Sequence, residues 1–358
     1  MKIILFLPGL GNGGAERVFL SLYQSFLSSG FDVEILCATP KVFINYDQSI
    51  KISFLDSRYA YLSFFKYKKY IYNSKPDIVI ATLQSSIFIS NFAKFFSVKN
   101  KYKLISRIAN VYQKPKNFLQ MLLLFSQRIS IRFSDGVIFN SQATKESIEK
   151  LLKIKFNKEK MEILNNPVLE KNFESRISKL RSSNFKKQFI FIGRLVPQKR
   201  VEDAIKAFEI AFKEDSSINM IIIGNGPEKS KALRLVELLK IQKAVTFYDY
   251  YEDIPNLLAN SCCLINTSAY EGFGNVFVEG LAFCNNLVSY NSPGGASEIL
   301  KGTKAVLIED GNYRLMGNKL IEISSSKDIN FLCSNYYLSK FSSEKIAKEY
   351  LKFIRKII

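Results

Sequence analysis

The chain has no histidine among its 358 residues. That absence excludes Ser-His-Asp and Cys-His nucleophile systems and removes a common zinc ligand. Cysteine is sparse and unpatterned. Cys37, Cys262, Cys263, Cys284 and Cys333 show no CxxC spacing and sit mostly in apolar surroundings. The sequence therefore predicts reduced, buried thiols, a cytosolic setting and no metal site. No run of about 18 apolar residues occurs, so no transmembrane helix is expected. The apolar opening at residues 3–7 leads straight into glycines and reads as a buried first strand, not as a signal peptide. No internal repeat, no low-complexity tract and no Asp-x-Asp is visible. The glycine-rich turn at residues 9–14 is not a GxGxxG followed by an acid at the dinucleotide-binding distance, so that fingerprint is weak here.

What is plentiful is positive charge. Lys and Arg number 51 against 32 Asp and Glu, a net charge of +19, and the excess is lopsided. Residues 51–116 hold 13 Lys/Arg and 2 acids, whereas residues 186–340 hold 18 against 17. A basic half of this kind implies an anionic partner: a membrane surface, a nucleic acid or a phosphorylated substrate. Residues 58–72, RYAYLSFFKYKKYIY, interleave seven aromatics with four basic residues. They read either as a helix with a core face and a solvated basic face, or as a segment suited to an anionic bilayer surface. The apolar stretch at 117–133 is shorter than a membrane span and is left open between core and interface.

The pattern of the whole chain is strand–loop–helix, repeated. Strands are expected at 3–7, 31–38, 77–82, 103–106 and 135–139, with helices at 15–27 and 144–152. After Asn165-Asn166-Pro167 and a polar stretch, a second series opens. Strands are expected at 188–192, 219–223, 245–247, 262–265, 287–290 and 305–308, and helices at 201–212, 229–239, 254–259 and 343–357. The expected fold class is α/β: two Rossmann-like doubly wound domains facing across a cleft. The expected boundaries are 1–168 for the first domain, 169–186 for a linker and 187–340 for the second domain. Residues 341–358 form a terminal helix expected to pack back on the first domain.

The organising stretch is 265–280, INTSAYEGFGNVFVEG. A buried strand gives way to a glycine-bearing loop and then to a helix N-terminus, whose free N–H groups and dipole suit an anion. Glu271 and Glu279 bracket that loop, the first expected before the helix and the second about two turns in, about 10 Å apart at helical pitch. Carboxylates so placed suit hydroxyl groups at the two ends of a ligand with phosphate in its middle, as in a nucleotide-sugar. An ordinary strand–loop–helix with two surface glutamates is the competing reading.

Four motifs in order carry a resemblance: Gly13-Gly14-Ala15-Glu16, GRLVPQKR at 193–200, Gly224-Asn225-Gly226-Pro227 and EGFGNVFVE at 271–279. Together they resemble a retaining GT-B glycosyltransferase of the family 4 group (glycosyl transferases group 1), over nearly the whole chain. The resemblance implies that Arg194 and Lys199 clamp the donor diphosphate, that Glu271 holds donor-sugar hydroxyls and that Glu279 takes the ribose. It implies that the backbone of Phe273, Gly274 and Asn275 lines sugar and phosphate, that Gly13 and Gly14 let the N-terminal loop approach the donor phosphate and the acceptor, and that the segments near Gly226, Tyr248–Tyr250 and Ile254 lie near the base; the first domain would bind the acceptor and the second the nucleotide-sugar. One departure stands out. Many relatives carry a histidine in the loop after the strand at 103–106, where this chain reads SRIAN; either Arg107 or Asn110 substitutes for it or substrate and water fill the role, and Glu16 is a possible sugar or acceptor contact.

The implied activity is metal-independent transfer, with retention, from a nucleotide-sugar to a lipid-linked or surface-glycan acceptor. UDP-sugars are the leading donors and GDP-mannose the alternative. The setting would be polysaccharide, O-antigen or glycoconjugate biosynthesis, peripheral on the cytoplasmic face of the plasma membrane. The nucleotide-sugar is a substrate, so no cofactor is expected; the expected partners are a polyprenyl-diphosphate-linked glycan and an anionic membrane, not nucleic acid. Two other functions remain to be separated from this one. A basic nucleic-acid-binding protein fits the charge but no helix-turn-helix, RNP or zinc pattern. A sugar-nucleotide enzyme of another reaction class, such as an epimerase, would want a Rossmann fingerprint and a Tyr-x3-Lys pair in the first domain.

Overall fold

A computed structural model describes residues 1–358 apart from 12, 45, 97–101, 112–114, 116–120, 122–123, 126–127, 129–130, 181–185 and 327–331. The chain divides into two compact units, residues 1–170 with 341–358, and residues 171–340.

The first unit is built on a seven-stranded parallel sheet in the order β3-β2-β1-β4-β5-β6-β7. Its strands are β1 (Lys2–Leu7), β2 (Asp32–Cys37), β3 (Ile52–Phe54), β4 (Ile78–Thr82), β5 (Lys103–Ile108), β6 (Gly136–Phe139) and β7 (Met161–Ile163). The inner strands are apolar almost throughout and buried, as a parallel sheet covered on both faces requires. On one face the Gly14–Ser28 helix buries Val18, Phe19, Leu22 and Phe26. It stops at Gly30, whose positive φ lets its N–H reach back to Leu27. Against it packs the Ser343–Ile357 helix, capped by the Ser342 hydroxyl, burying Ile346, Tyr350, Phe353 and Ile354. The other face carries Phe64–Ser74 and Gln84–Phe95, which bury Tyr67 and Ile71 and, from the second helix, Ile87 and Ala93.

The second unit has a six-stranded parallel sheet, β10-β9-β8-β11-β12-β13. These are β8 (Lys186–Ile192), β9 (Asn219–Ile223), β10 (Val245–Tyr248), β11 (Ser261–Asn266), β12 (Leu287–Tyr290) and β13 (Val306–Ile308). The Val201–Glu214 helix buries Ala204, Ile205, Phe208 and Ala211 at helical spacing.

Both sheets reverse strand order once, between β1 and β4 and between β8 and β11. Loops leaving adjacent strands at such a switch point diverge to opposite faces and leave a crevice, where doubly wound sheets bind ligands.

Several sequence expectations need amending. The 169–186 stretch is not all connection: Phe173–Leu180 is a helix burying Phe173 and Ile177, and β8 begins at Lys186. The polar mix hides it because only two of its apolar residues face inward. The edge strands β3 and β7, three residues each, are too short to show a period. The 117–133 stretch lies largely outside the described residues.

Candidate functional site

The second unit's switch point collects most of the expected site. β8 ends in the loop 193–200, which holds Arg194 and ends in a short 3-10 turn, Pro197–Lys199. β11 ends in the loop 267–274, which leads into the Asn275–Phe283 helix. The two loops are tied together by the chain itself. The Thr267 hydroxyl bridges the carbonyls of Lys199 and Arg200 at 2.9 and 2.8 Å. Ala269 N–H donates to the Gln198 carbonyl at 2.8 Å, and the Gln198 amide donates to the Tyr270 carbonyl at 2.7 Å. Two segments 70 residues apart in sequence are thus held as one surface.

On that surface Lys199 Nζ contacts Glu271 Oε1, with both side chains largely enclosed. The same oxygen accepts from the Ser268 hydroxyl at 2.7 Å, and Ser268 is itself held by its N–H to Asn266 Oδ1 at 3.1 Å. Glu271 is therefore oriented by a lysine and a serine and is not a free surface carboxylate. Arg194, by contrast, is exposed and has no side-chain hydrogen bond or ion pair among the described residues. A rigid carboxylate–ammonium pair beside an uncommitted guanidinium offers acceptors for hydroxyls and a fork for phosphate oxygens.

The neighbouring loops close against this pair, and glycine makes it possible. Gly294 stands at φ +104°, and a Cβ there would lie 1.8 Å from the Glu271 carbonyl oxygen; one on Gly295 would lie 1.5 Å from that of Phe273. The backbone of 293–295 consequently pairs with 271: Glu271 N–H donates to Pro293 and Gly295 N–H to Glu271. On the other side Gly226 packs on Leu195, where a Cβ would come within 2.3 Å of its carbonyl oxygen. Gly274, at positive φ, is the N-cap of the helix that starts at Asn275, while Phe273 is buried. Glu279 lies little more than one turn into this helix, not two as its sequence distance from Glu271 suggested, and is partly buried. Tyr248 and Tyr250, at the end of β10, are each 40% exposed.

The first unit's residues stand differently. Glu16 lies in the first turn of the Gly14–Ser28 helix, and its carboxylate folds over the loop: a Cβ on Gly13 would sit 2.5 Å from Oε2. Together with burial, that charge pushes the Cys37 thiol up to about 12. Asn110 is exposed in the turn after β5. Arg107 is a correction. It is the fifth residue of β5, not a loop residue, and it is fully buried. Its guanidinium donates to Tyr350 Oη at 3.0 Å, Thr82 Oγ1 at 3.2 Å and Asn166 Oδ1 at 2.5 Å. A guanidinium enclosed this way fastens the terminal helix to the sheet and does not present itself to a sugar.

Thr267, Ser268 and Gln198 were missed from the sequence; the one available signal was a hydroxyl three residues before Glu271. Among the described residues no three His, Cys, Asp or Glu side chains are grouped to hold a metal ion.

Two parallel sheets with covering helices, each with its crevice at a switch point, match the architecture of GT-B glycosyltransferases. Comparison with known proteins narrows this. Residues 172–336 match the family model described as glycosyl transferases group 1, and residues 12–169 match glycosyltransferase family 4. The chain belongs to this family of glycosyltransferases. A Campylobacter jejuni enzyme, an N-acetylgalactosamine-N,N'-diacetylbacillosaminyl-diphospho-undecaprenol 4-alpha-N-acetylgalactosaminyltransferase, is 26% identical over 99% of both chains. An uncharacterised glycosyltransferase of Methanocaldococcus jannaschii is 25% identical over 80% of this chain and 71% of its own. Among solved structures, Anabaena HepE in complex with UDP and glucose superposes with a TM-score of 0.80 at 20% identity, over 99% of each chain.

Proposed function

We propose that this glycosyltransferase moves a sugar, with retention, from a UDP-sugar to a polyprenyl-diphosphate-linked or surface-glycan acceptor. The carrying observation is the unpaired Arg194 on the loop whose Lys199 pairs with the Ser268-held Glu271. As the bond from the sugar's anomeric carbon to the diphosphate oxygen lengthens, negative charge gathers on the leaving diphosphate. Arg194 and Lys199 stabilise that charge, and the Asn275–Phe283 helix N-terminus adds its dipole. Glu271 accepts a hydroxyl of the departing sugar, and Glu279 accepts the ribose hydroxyls.

The acceptor hydroxyl attacks the anomeric carbon from the face the diphosphate leaves. Its proton passes to the leaving phosphate oxygen, so no protein nucleophile, metal or cofactor enters the balance. In the first unit the Glu16 carboxylate covers Gly13, which favours contact with a hydroxyl over contact with a phosphate at that turn. The acceptor class is supported by the Campylobacter relative's substrate, an undecaprenol-diphosphate glycan, and the donor by the UDP in the Anabaena structure. Such an acceptor places the enzyme on the inner face of the plasma membrane, facing the cytoplasm, in polysaccharide, O-antigen or glycoconjugate assembly.

The test is incubation with radiolabelled UDP-sugars and GDP-mannose plus a polyprenyl-diphosphate glycan extract. Label should enter an organic-extractable product that keeps the donor's anomeric configuration. Inverted configuration, or transfer from no nucleotide-sugar, would contradict the reading.

A further inference from the structure

The first unit carries a surface that sugar transfer does not use. It begins at Tyr59, passes through a 3-10 turn at Ala60–Ser63 into the Phe64–Ser74 helix, and continues on the neighbouring Gln84–Phe95 helix. Phe65 is 81% exposed, Leu62 68%, Phe95 56% and Phe96 52%. These side chains do not stand singly. Phe65 packs on Phe64 with ring centroids 5.2 Å apart, Phe64 on Phe92 at 5.3 Å, Phe92 on Phe96 at 4.7 Å and Phe96 on Phe95 at 4.9 Å. The result is one continuous aromatic shelf across two helices. Both helices already meet the core through other residues, Tyr67 and Ile71 on the first and Ile87 and Ala93 on the second. Phe64 roots the shelf in the core, while the rings of Phe65, Phe92, Phe95 and Phe96 stay exposed, and an apolar patch of this kind on a folded unit marks a contact surface.

Charge decides what it contacts. From residue 57 to residue 76 the chain has five basic residues and no acid. Arg58, Lys66, Lys69 and Lys75 are exposed, and Lys68 lies 5.8 Å over the Phe64 ring. Lys66 is steadied on the Asp56 carbonyl at 2.8 Å. The platform is braced from beneath: Tyr70 on the first helix donates to the buried Glu34 on β2. Aromatic side chains bordered by exposed cations, on a fixed helical base, fit the headgroup layer of a bilayer: rings at the boundary of the acyl region, ammonium groups at anionic lipid phosphates.

We propose that this shelf docks the enzyme on an anionic lipid surface, with Phe65 and Phe96 entering the headgroup layer and Lys66, Lys68 and Lys69 holding lipid phosphate. The inference gives the membrane reading a particular face, but its geometry does not depend on the sugar chemistry, and it can fail alone.

The test is co-sedimentation of the full chain with vesicles of phosphatidylcholine, with and without phosphatidylglycerol, at low and high salt, with no sugar substrate. The chain should bind the phosphatidylglycerol vesicles, leave the neutral ones, and release at high salt. Changing Lys66, Lys68 and Lys69 together to Glu should lower the partition by roughly tenfold or more, and Lys69→Glu alone by less. Phe65→Ser with Phe96→Ser should weaken binding at low salt without changing its salt dependence. Unchanged UDP titration and thermal melting in each variant separate docking from folding and from the transferase site. Indifference to anionic vesicles at low salt, or equal binding by the Glu variants, overturns the proposal. Failure to bind vesicles together with lysine-dependent binding of a single-stranded RNA oligomer overturns it in favour of a nucleic acid.

Discussion

Lys199 Nζ is held against the Glu271 carboxylate by the protein's own packing, so in the proposed site its ammonium is in place for a donor diphosphate. The pair is enclosed and also braced by Ser268. Preorganisation of this kind spares the cost of ordering a four-carbon side chain during the reaction. Replacing Lys199 with Ala should cost about 2–4 kcal/mol of transition-state stabilisation, and Arg194→Ala about the same, read as kcat/KM with intact melting. Near-normal turnover in either would remove them from the site. Glu279→Ala should weaken free UDP, since every donor carries ribose, whereas Glu271→Ala should mainly lower kcat. Equal loss of UDP affinity in both would refute that division. Arg107→Met belongs to the fold: it removes the buried guanidinium's hydrogen bonds to Tyr350, Thr82 and Asn166, which should lower stability by about 2–4 kcal/mol while UDP titration stays unchanged. Residue roles were unevenly legible in the sequence. Arg194, Lys199 and Glu271 carry chemistry in their side-chain type. Nothing in SRIAN shows that Arg107 points inward, because one alternation more or less along a strand exchanges its two faces.

At the scale of elements, the site depends on loops that touch backbone to backbone. Gly294→Ala places a Cβ against the Glu271 carbonyl and also strains φ. Stability should fall by at least ~1–3 kcal/mol and activity with it, measured by thermal melting and transfer rate. The β2–β3 edge makes a pH-dependent contribution. Burial alone raises the Glu34 carboxyl, but hydrogen bonds from Ser53 and Tyr70 and the charges of Lys51 and Lys2 outweigh it and hold the group below its usual 4.5. A carboxyl lowered in the folded state adds stability above its unfolded value, and that stability is lost as pH falls through the folded value. Wild type should therefore lose more stability below about pH 4.5 than Glu34→Gln does, in denaturant melts taken across that range; parallel pH profiles would dismiss the contribution. Most elements were legible because buried parallel strands are apolar runs: β9, β12 and the Ile254–Ala259 and Ser343–Ile357 helices fall at the expected residues. The Gln84–Phe95 helix was not, because Ser90 and Asn91 are buried by hydrogen bonds within the helix and, for Asn91, to the sheet, which composition does not reveal.

Across the whole molecule, the two units carry different chemistry. The second unit, near neutral over residues 186–340, holds the paired Lys199 and Glu271, and most of the basic excess lies in the first. A diphosphate needs only a few cations, so the proposed donor leaves most of the first unit's charge for the proposed lipid surface. In the proposed function, the crevice between β8 and β11 binds the donor diphosphate through Arg194 and Lys199. Calorimetric titration of UDP and UMP into wild type, Arg194→Ala and Lys199→Ala tests it directly. The account predicts that wild type prefers UDP to UMP by roughly tenfold or more, a charge-assisted contact's worth, and that each variant loses most of that preference while UMP affinity holds. Equal affinity for UDP and UMP in wild type, or an undiminished preference in both variants, would contradict it.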